Sequence, residues 1–315
     1  VSQLSSLHEC HCPHRYSAPY FCLHRRHDQK QPPSYRGSHV SNEEREVSEI
    51  TGLMSEKIPV FQRPELPVVG AASEIKKQEV VTEIRKNFSQ NRDQLSESGE
   101  KKLAAVEYKK SKLEQAVIDD INQLTNDLLI EAGVQPYNIP TENIYLVPHK
   151  TFKELDGDDD DFGDAFTSHR RQSIVIDAEH SISPLERAGI LAHEMTHLKN
   201  FISIEVSNEK NDSLRRIGVQ MNSTHKRDES TGSFTAFSGL NEAIVSKIEK
   251  DLFEKLLQNH PELQEEYDQL FSSEAGKKER TKIAKEFNLD EEDIHWMDEK
   301  TVRSVSYAEQ RKVLE

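Results

Sequence analysis

The chain has 315 residues, 34% hydrophobic and 31% charged, with a formal net charge of −15 and a mean hydropathy of −0.77. Such a length holds one large or two modest domains, and such polarity leaves part of the chain outside any core. The acidity argues against nucleic acid and anionic membranes as partners, and no apolar run reaches bilayer length.

Three cysteines, all before residue 23, make no disulfide framework. No charged start followed by an apolar core marks a secretory signal, so a cytoplasmic protein is the default expectation. Residues 1–72 read as a poorly ordered, His/Pro-rich segment. Cys10, Cys12 and Cys22 lie among His11, His14 and His24, but not at the spacing of a Cys-x-x-Cys knuckle. Residues 58–61 and 67–69 read as short extended pieces that dock elsewhere.

Residues 73–135 read as a helical hairpin region. Leu103, Val106, Leu113, Val117, Ile121, Leu124 and Leu128 fall at helical spacing. Residues 96–99 divide the region into two antiparallel helices, and Gly133 and Pro136 end the second. Residues 143–147 read as a first strand. The run DGDDDDFGD at 156–164 is strongly acidic. A calcium loop starting there would need Gly at its sixth position and Glu at its twelfth, where Asp161 and Thr167 stand. The run reads as a solvated loop beside a cleft.

Residues 172–177 are rich in β-branched side chains and read as a strand. Ser183-Pro184-Leu185-Glu186 then carries a helix start: a Ser cap, Pro at the first helical position, and Glu at the third. Small and apolar residues lead from there into His193-Glu194-Met195-Thr196-His197. Side chains four apart on a helix differ by about 40° around its axis, so both imidazoles can reach one metal ion. Glu194 lies on the same side, placed to take a proton without binding the metal.

Residues 201–206 read as a strand or a continuation of the helix, 216–221 as a strand, and 224–232 as a polar turn. A hairpin here would wall the cleft. Leu240, Ile244, Ile248, Leu252 and Leu256 then recur every four residues, placing Glu242 in the first turn of an amphipathic helix. A catalytic zinc keeps one position open and takes three protein ligands. Glu242, 45 residues past His197 (242 − 197), is the candidate for the third. Beyond 257 the chain reads as charged helix, broken at 259–262, with a further helix at 278–288, a cap-like Asp290 and a short helical pattern from Tyr307.

The two motifs in this order resemble the zincin superfamily, and within it the gluzincins. Asn241-Glu242-Ala243-Ile244 is similar to the third-ligand motif of thermolysin-like peptidases. The resemblance covers about residues 170–250. It implies Zn2+ held by His193, His197 and Glu242, with Glu194 as the catalytic general base. It implies a hydrolase, a metalloprotease cutting protein or peptide substrates by Glu-assisted attack of zinc-bound water. The fold it implies is α+β and zincin-like, in a catalytic domain spanning 140–315. There a small twisted sheet (strands near 143–147, 172–177 and 216–221) packs on the motif helix, and a mainly helical lower lobe holds Glu242. Strand 172–177 would be the edge that binds substrate backbone by strand addition.

Many zincins also use a Tyr or His to stabilise the oxyanion; Tyr307, His225 and His295 are the candidates. The interval between the motifs is longer than in the thermolysin group. That longer interval implies a separate bacterial branch; the Asp that orients a zinc-binding His in that group falls here on Ser246, which implies a different surrounding shell. The alternative is a catalytically inactive, zinc-binding interaction protein of the same fold, which would have no use for a base at 194.

Overall fold

Capping chemistry sets several of the boundaries that matter. The computed structural model describes residues 66–88, 100–156, 164–169, 171–181, 183–207, 212–227, 230–287, 289–297 and 302–304. The Cys/His-rich leader, residues 58–61, most of the acidic run and the pattern from Tyr307 lie outside them. In chain order the elements are β1 (Val68–Val69), α1 (Glu74–Phe88), α2 (Glu100–Val106), α3 (Lys112–Glu131), β2 (Ile144–Val147), α4 (His149–Asp156), β3 (Ala165–Ser168), β4 (Ser173–Asp177) and α5 (Pro184–Lys199). Then come β5 (Ile202–Val206), β6 (Asp212–Ile217), β7 (Gln220–Arg227), β8 (Ser230–Ala236), α6 (Ser238–Asn259), α7 (Pro261–Phe271), α8 (Glu274–Phe287), β9 (Ile294–Met297) and β10 (Val302–Ser304). The architecture is α+β, with eight α-helices and three small sheets among the described residues.

The main core lies where α3, α5 and α6 meet the inner face of a three-stranded sheet of order β2-β4-β3. β2 runs parallel to β4, and β3 antiparallel to it. The buried set includes Val117, Ile121, Ile144, Ile174, Ile176, Leu185, Leu191, Met195 and Leu256. All five residues of β4 are buried, as expected of a strand covered on both faces. This central place corrects the expectation that 172–177 is an edge. The edge next to α5 is β3.

The expected single sheet also divides. Residues 216–221 are not one strand: they hold the end of β6, a turn at Gly218–Val219 and the start of β7. These belong to a second sheet of order β1-β5-β6-β7-β8. Gly218 breaks the run because its backbone takes a left-handed φ of 57°. Residues 224–232, expected as a polar turn, are mostly strand; Thr224 pairs with Ser233 and His225 with Gly232. Polarity does not bar a strand where the backbone groups are paired across a hairpin. The short 67–69 piece docks as expected, with Val68 and Val69 parallel to Ile204 and Glu205.

The helices of 73–135 find their main partners in different places rather than in one another. α1 buries Val80 and Ile84 on the five-stranded sheet. α2 places Leu103 against Tyr145, Val147 and Val175. α3 lies in the main core. A second break, at 107–111, ends in a capping box: Ser111 accepts from the Glu114 amide at 3.1 Å, and Glu114 accepts from the Ser111 amide. Lys199, at the end of α5, reaches back to α3 and donates to Asn122 O (3.1 Å), Thr125 Oγ1 (2.7 Å) and Asn126 Oδ1 (2.8 Å). Burial pushes its amine down to about 7, against the pull of Asp127. No helix among the described residues is long and apolar enough to cross a membrane.

Candidate metal centre

α5 starts where the sequence places it. Ser183 accepts from the Glu186 amide at 3.1 Å, and Pro184 takes the first turn, where a missing N–H costs nothing. Glu266 from α7 secures this end by accepting the Leu185 amide at 3.1 Å. The helix is buried on nearly all sides, against α3, α6 and the three-stranded sheet, so its side chains have little freedom.

One turn apart on this helix, His193 and His197 present their Nε2 atoms 3.1 Å from each other. Glu242 lies in the second turn of α6, not the first as expected, because the helix already starts at Ser238; it brings Oε2 to 3.0 Å from His197 Nε2 and 3.6 Å from His193 Nε2. Two ligand atoms of a tetrahedral zinc at ordinary bond lengths stand about 3.3 Å apart. The three observed separations bracket that value, so the donor set fits such an ion in number, chemistry and spacing.

The neighbouring groups fix orientation. Glu249 Oε2 lies 2.8 Å from His193 Nδ1, which leaves Nε2 facing Glu242. Thr167 on β3 donates to Glu194 Oε2 at 2.6 Å, holding that buried carboxylate next to the trio. His169, at the end of β3, places Nε2 2.9 Å from the backbone oxygen of His197.

The electrostatics follow from these contacts. Burial works against a charged His193, but Glu249, Glu242 and Glu194 outweigh it and raise the imidazole well above its usual value. Burial also works against a charged Glu242, yet the two imidazoles dominate and hold the carboxyl far below its usual range. The pocket is thus built to keep a carboxylate ionised beside positive charge.

Glu249 and Thr167 were not singled out in the sequence. Glu249 stands seven residues after Glu242, about 20° round the helix from it, on the same face. Ser246, where a thermolysin-like chain would carry the orienting Asp, lies between them. Its Oγ is buried without a hydrogen-bond partner among the described residues. Truncating the two should therefore give opposite results. Glu249→Ala should weaken zinc binding about 10- to 100-fold. Ser246→Ala should leave it unchanged and stabilise the fold by about 1 kcal/mol, since it removes an unsatisfied hydroxyl. Zinc titration calorimetry and urea unfolding read both.

α6 is held at its entry. Phe237 takes left-handed φ 61° and ψ 21°, a strained conformation for an aromatic residue, worth on the order of 1 kcal/mol. Asn241, next to Glu242, accepts from the Val219 amide at 3.2 Å. A Cβ at Gly218 would collide with Asn241 Oδ1. Gly218→Ala should accordingly cost about 2 kcal/mol or more in urea unfolding and also weaken zinc binding, because the obstructed residue adjoins the ligand.

Of the oxyanion candidates, Tyr307 lies outside the described residues. So do the side chains of His225 and His295, whose backbones run in β7 and β9. Compared with protein-family models, curated proteins and solved structures, the chain has no significant match in any of the three.

Proposed function

We propose that this chain is a zinc-dependent metallopeptidase of zincin-like fold. The reading rests on one observation above the rest: three ligand atoms from His193, His197 and Glu242 lie 3.0–3.6 Å apart, beside the buried Glu194, which is held by its own partner. A zinc ion held by the three would supply Lewis-acid charge that acidifies water and polarises a peptide carbonyl.

The chain's own residues do the rest. Glu249 keeps His193 in the tautomer whose Nε2 is free to bind metal. Glu194 accepts the proton of the attacking water as its oxygen bonds to the carbonyl carbon. It then passes that proton to the nitrogen as the C–N bond breaks. Thr167 fixes the carboxylate for both transfers without taking its proton. Thr167 also ties the centre to β3, the antiparallel edge beside α5. An extended peptide adding to that edge would run past Glu194.

The reading with zinc but no chemistry is disfavoured by Glu194. Burying a carboxylate next to other acidic groups is costly, and binding metal does not require it. A peptide-library digest with the zinc-loaded chain, with and without chelator, separates the two. Cleavage that stops with chelator and returns with zinc is expected. A zinc-loaded chain that cuts no peptide in the library leaves only the binding protein.

A further inference from the structure

A second cluster of metal-binding side chains lies at the far end of the three-stranded sheet. β2 and β4 run parallel with Val147 level with Asp177, so their C-terminal ends bring His149 and Asp177 together. His180 returns to the same point through a tight loop: Asp177 Oδ1 accepts the amides of Glu179 (3.1 Å) and His180 (3.2 Å). One potential ligand atom from each of His149, Asp177 and His180 lies within 4.8 Å of the other two. Asp164, at the entry to β3, adds a second buried carboxylate, its Oδ1 3.2 Å from His180 Nδ1 and its backbone oxygen 2.8 Å from the Asp177 amide.

We propose that His149, Asp177 and His180 form a second, structural binding site for a divalent transition-metal cation of the zinc type. Burial makes a cation beside this carboxylate favourable. Asp177 is 1% exposed, and among the described residues no Lys or Arg reaches it. Buried charges in proteins are paired or coordinate metals, and the side chains facing this one are imidazoles. The two rings stack with centroids 4.3 Å apart and planes 21° from parallel, so both present edges to the carboxylates. Two imidazoles with carboxylate oxygen suit zinc and its neighbours; calcium and magnesium take oxygen ligands.

His149 Nδ1 and Asp177 Oδ2 are 2.5 Å apart, closer than two ligands of one zinc, about 3.3 Å. The ion replaces that hydrogen bond. His149 and His180 are 37% and 57% exposed, so both rings can move to admit it. The site is separate from the first. Thr167 pairs with Ile174, and Asp177 is three residues further along the same strand, about 10 Å away. Its role follows from the segments it joins: the start of α4, the entry to β3, and the loop that leads from β4 into the motif helix.

The test uses the full chain carrying His193→Ala and His197→Ala, which removes the first set of ligands, and Zn2+ alone as probe. Titration calorimetry near neutral pH should find one zinc per chain. Adding His180→Ala, at an exposed position that leaves the fold intact by circular dichroism, should weaken that binding roughly 100-fold or more. No saturable binding in the first variant overturns the proposal, as does binding that His180→Ala leaves unchanged. Neither result depends on whether the chain cuts peptides.

Discussion

Glu194→Gln should lower peptide hydrolysis by about 10²- to 10⁴-fold while zinc binding at the His193 centre stays intact. The substitution keeps size and shape and removes only the capacity to hold a proton. Thr167 still finds an oxygen acceptor, so the local packing survives. The comparison is His193→Ala, where the zinc held at this centre and the activity are lost together. Steady-state cleavage of a fluorogenic peptide and metal analysis on the same samples check both. Full activity in the Gln variant would remove the proposed base, whatever the metal content.

Zinc added to the metal-free chain should raise its resistance to urea or heat, by about 4 kcal/mol at a thousandfold excess over the dissociation constant. Glu242→Ala should forfeit most of the gain from this centre. The pH dependence has a definite sign. The raised His193 value stabilises the metal-free fold fully below the unfolded value of about 6.5, and the benefit is lost as pH rises through the raised value. The lowered Glu242 value stabilises above about 4.5 and loses its benefit as pH falls through the lowered one. Zinc must displace the His193 proton, so the zinc-dependent gain should grow with pH until His193 is neutral without help. Unfolding midpoints with and without zinc, from pH 6 upward, read it; a gain independent of pH would argue against His193 as a ligand.

The parts of the centre written as local patterns were legible. Four-residue spacing on a capped helix brings His193 and His197 together because helix geometry is nearly context-free. Glu242 was reachable through its motif. Glu249 was hidden because the stripe read in the sequence covers only part of the buried face: Leu252 and Leu256 are in the core and Ile248 packs on it, while Leu240 and Ile244 are only half-buried. Residues taken strictly every fourth position, as Leu240 to Leu256 were, drift about 40° per step and leave any one face. The buried face instead mixes threes and fours: Val245, Ser246, Glu249, Leu252, Phe253 and Leu256. On that face a glutamate is conspicuous. Thr167 and His169 had no local signature at all, since their role arises from pairing β3 with β4 and packing both on α5. The sheets were misjudged for a similar reason. Strand order is a long-range property, and polar hairpin strands carry none of the apolar alternation that marks a strand in sequence.

The turn at Gly218 touches both Asn200, just after α5, and Asn241, at the start of α6. The chain therefore departs from the motif helix and rejoins the ligand helix at nearly one point, with the β5–β8 meander as an excursion between them. Such an excursion is a cassette. Lengthening its outer hairpin, β7–β8, should leave the two helix ends in place so long as Gly218, Asn200 and Asn241 are kept. Loop-closure entropy grows only slowly with the length inserted. Changes confined to that excursion would leave the proposed metal centre where it is.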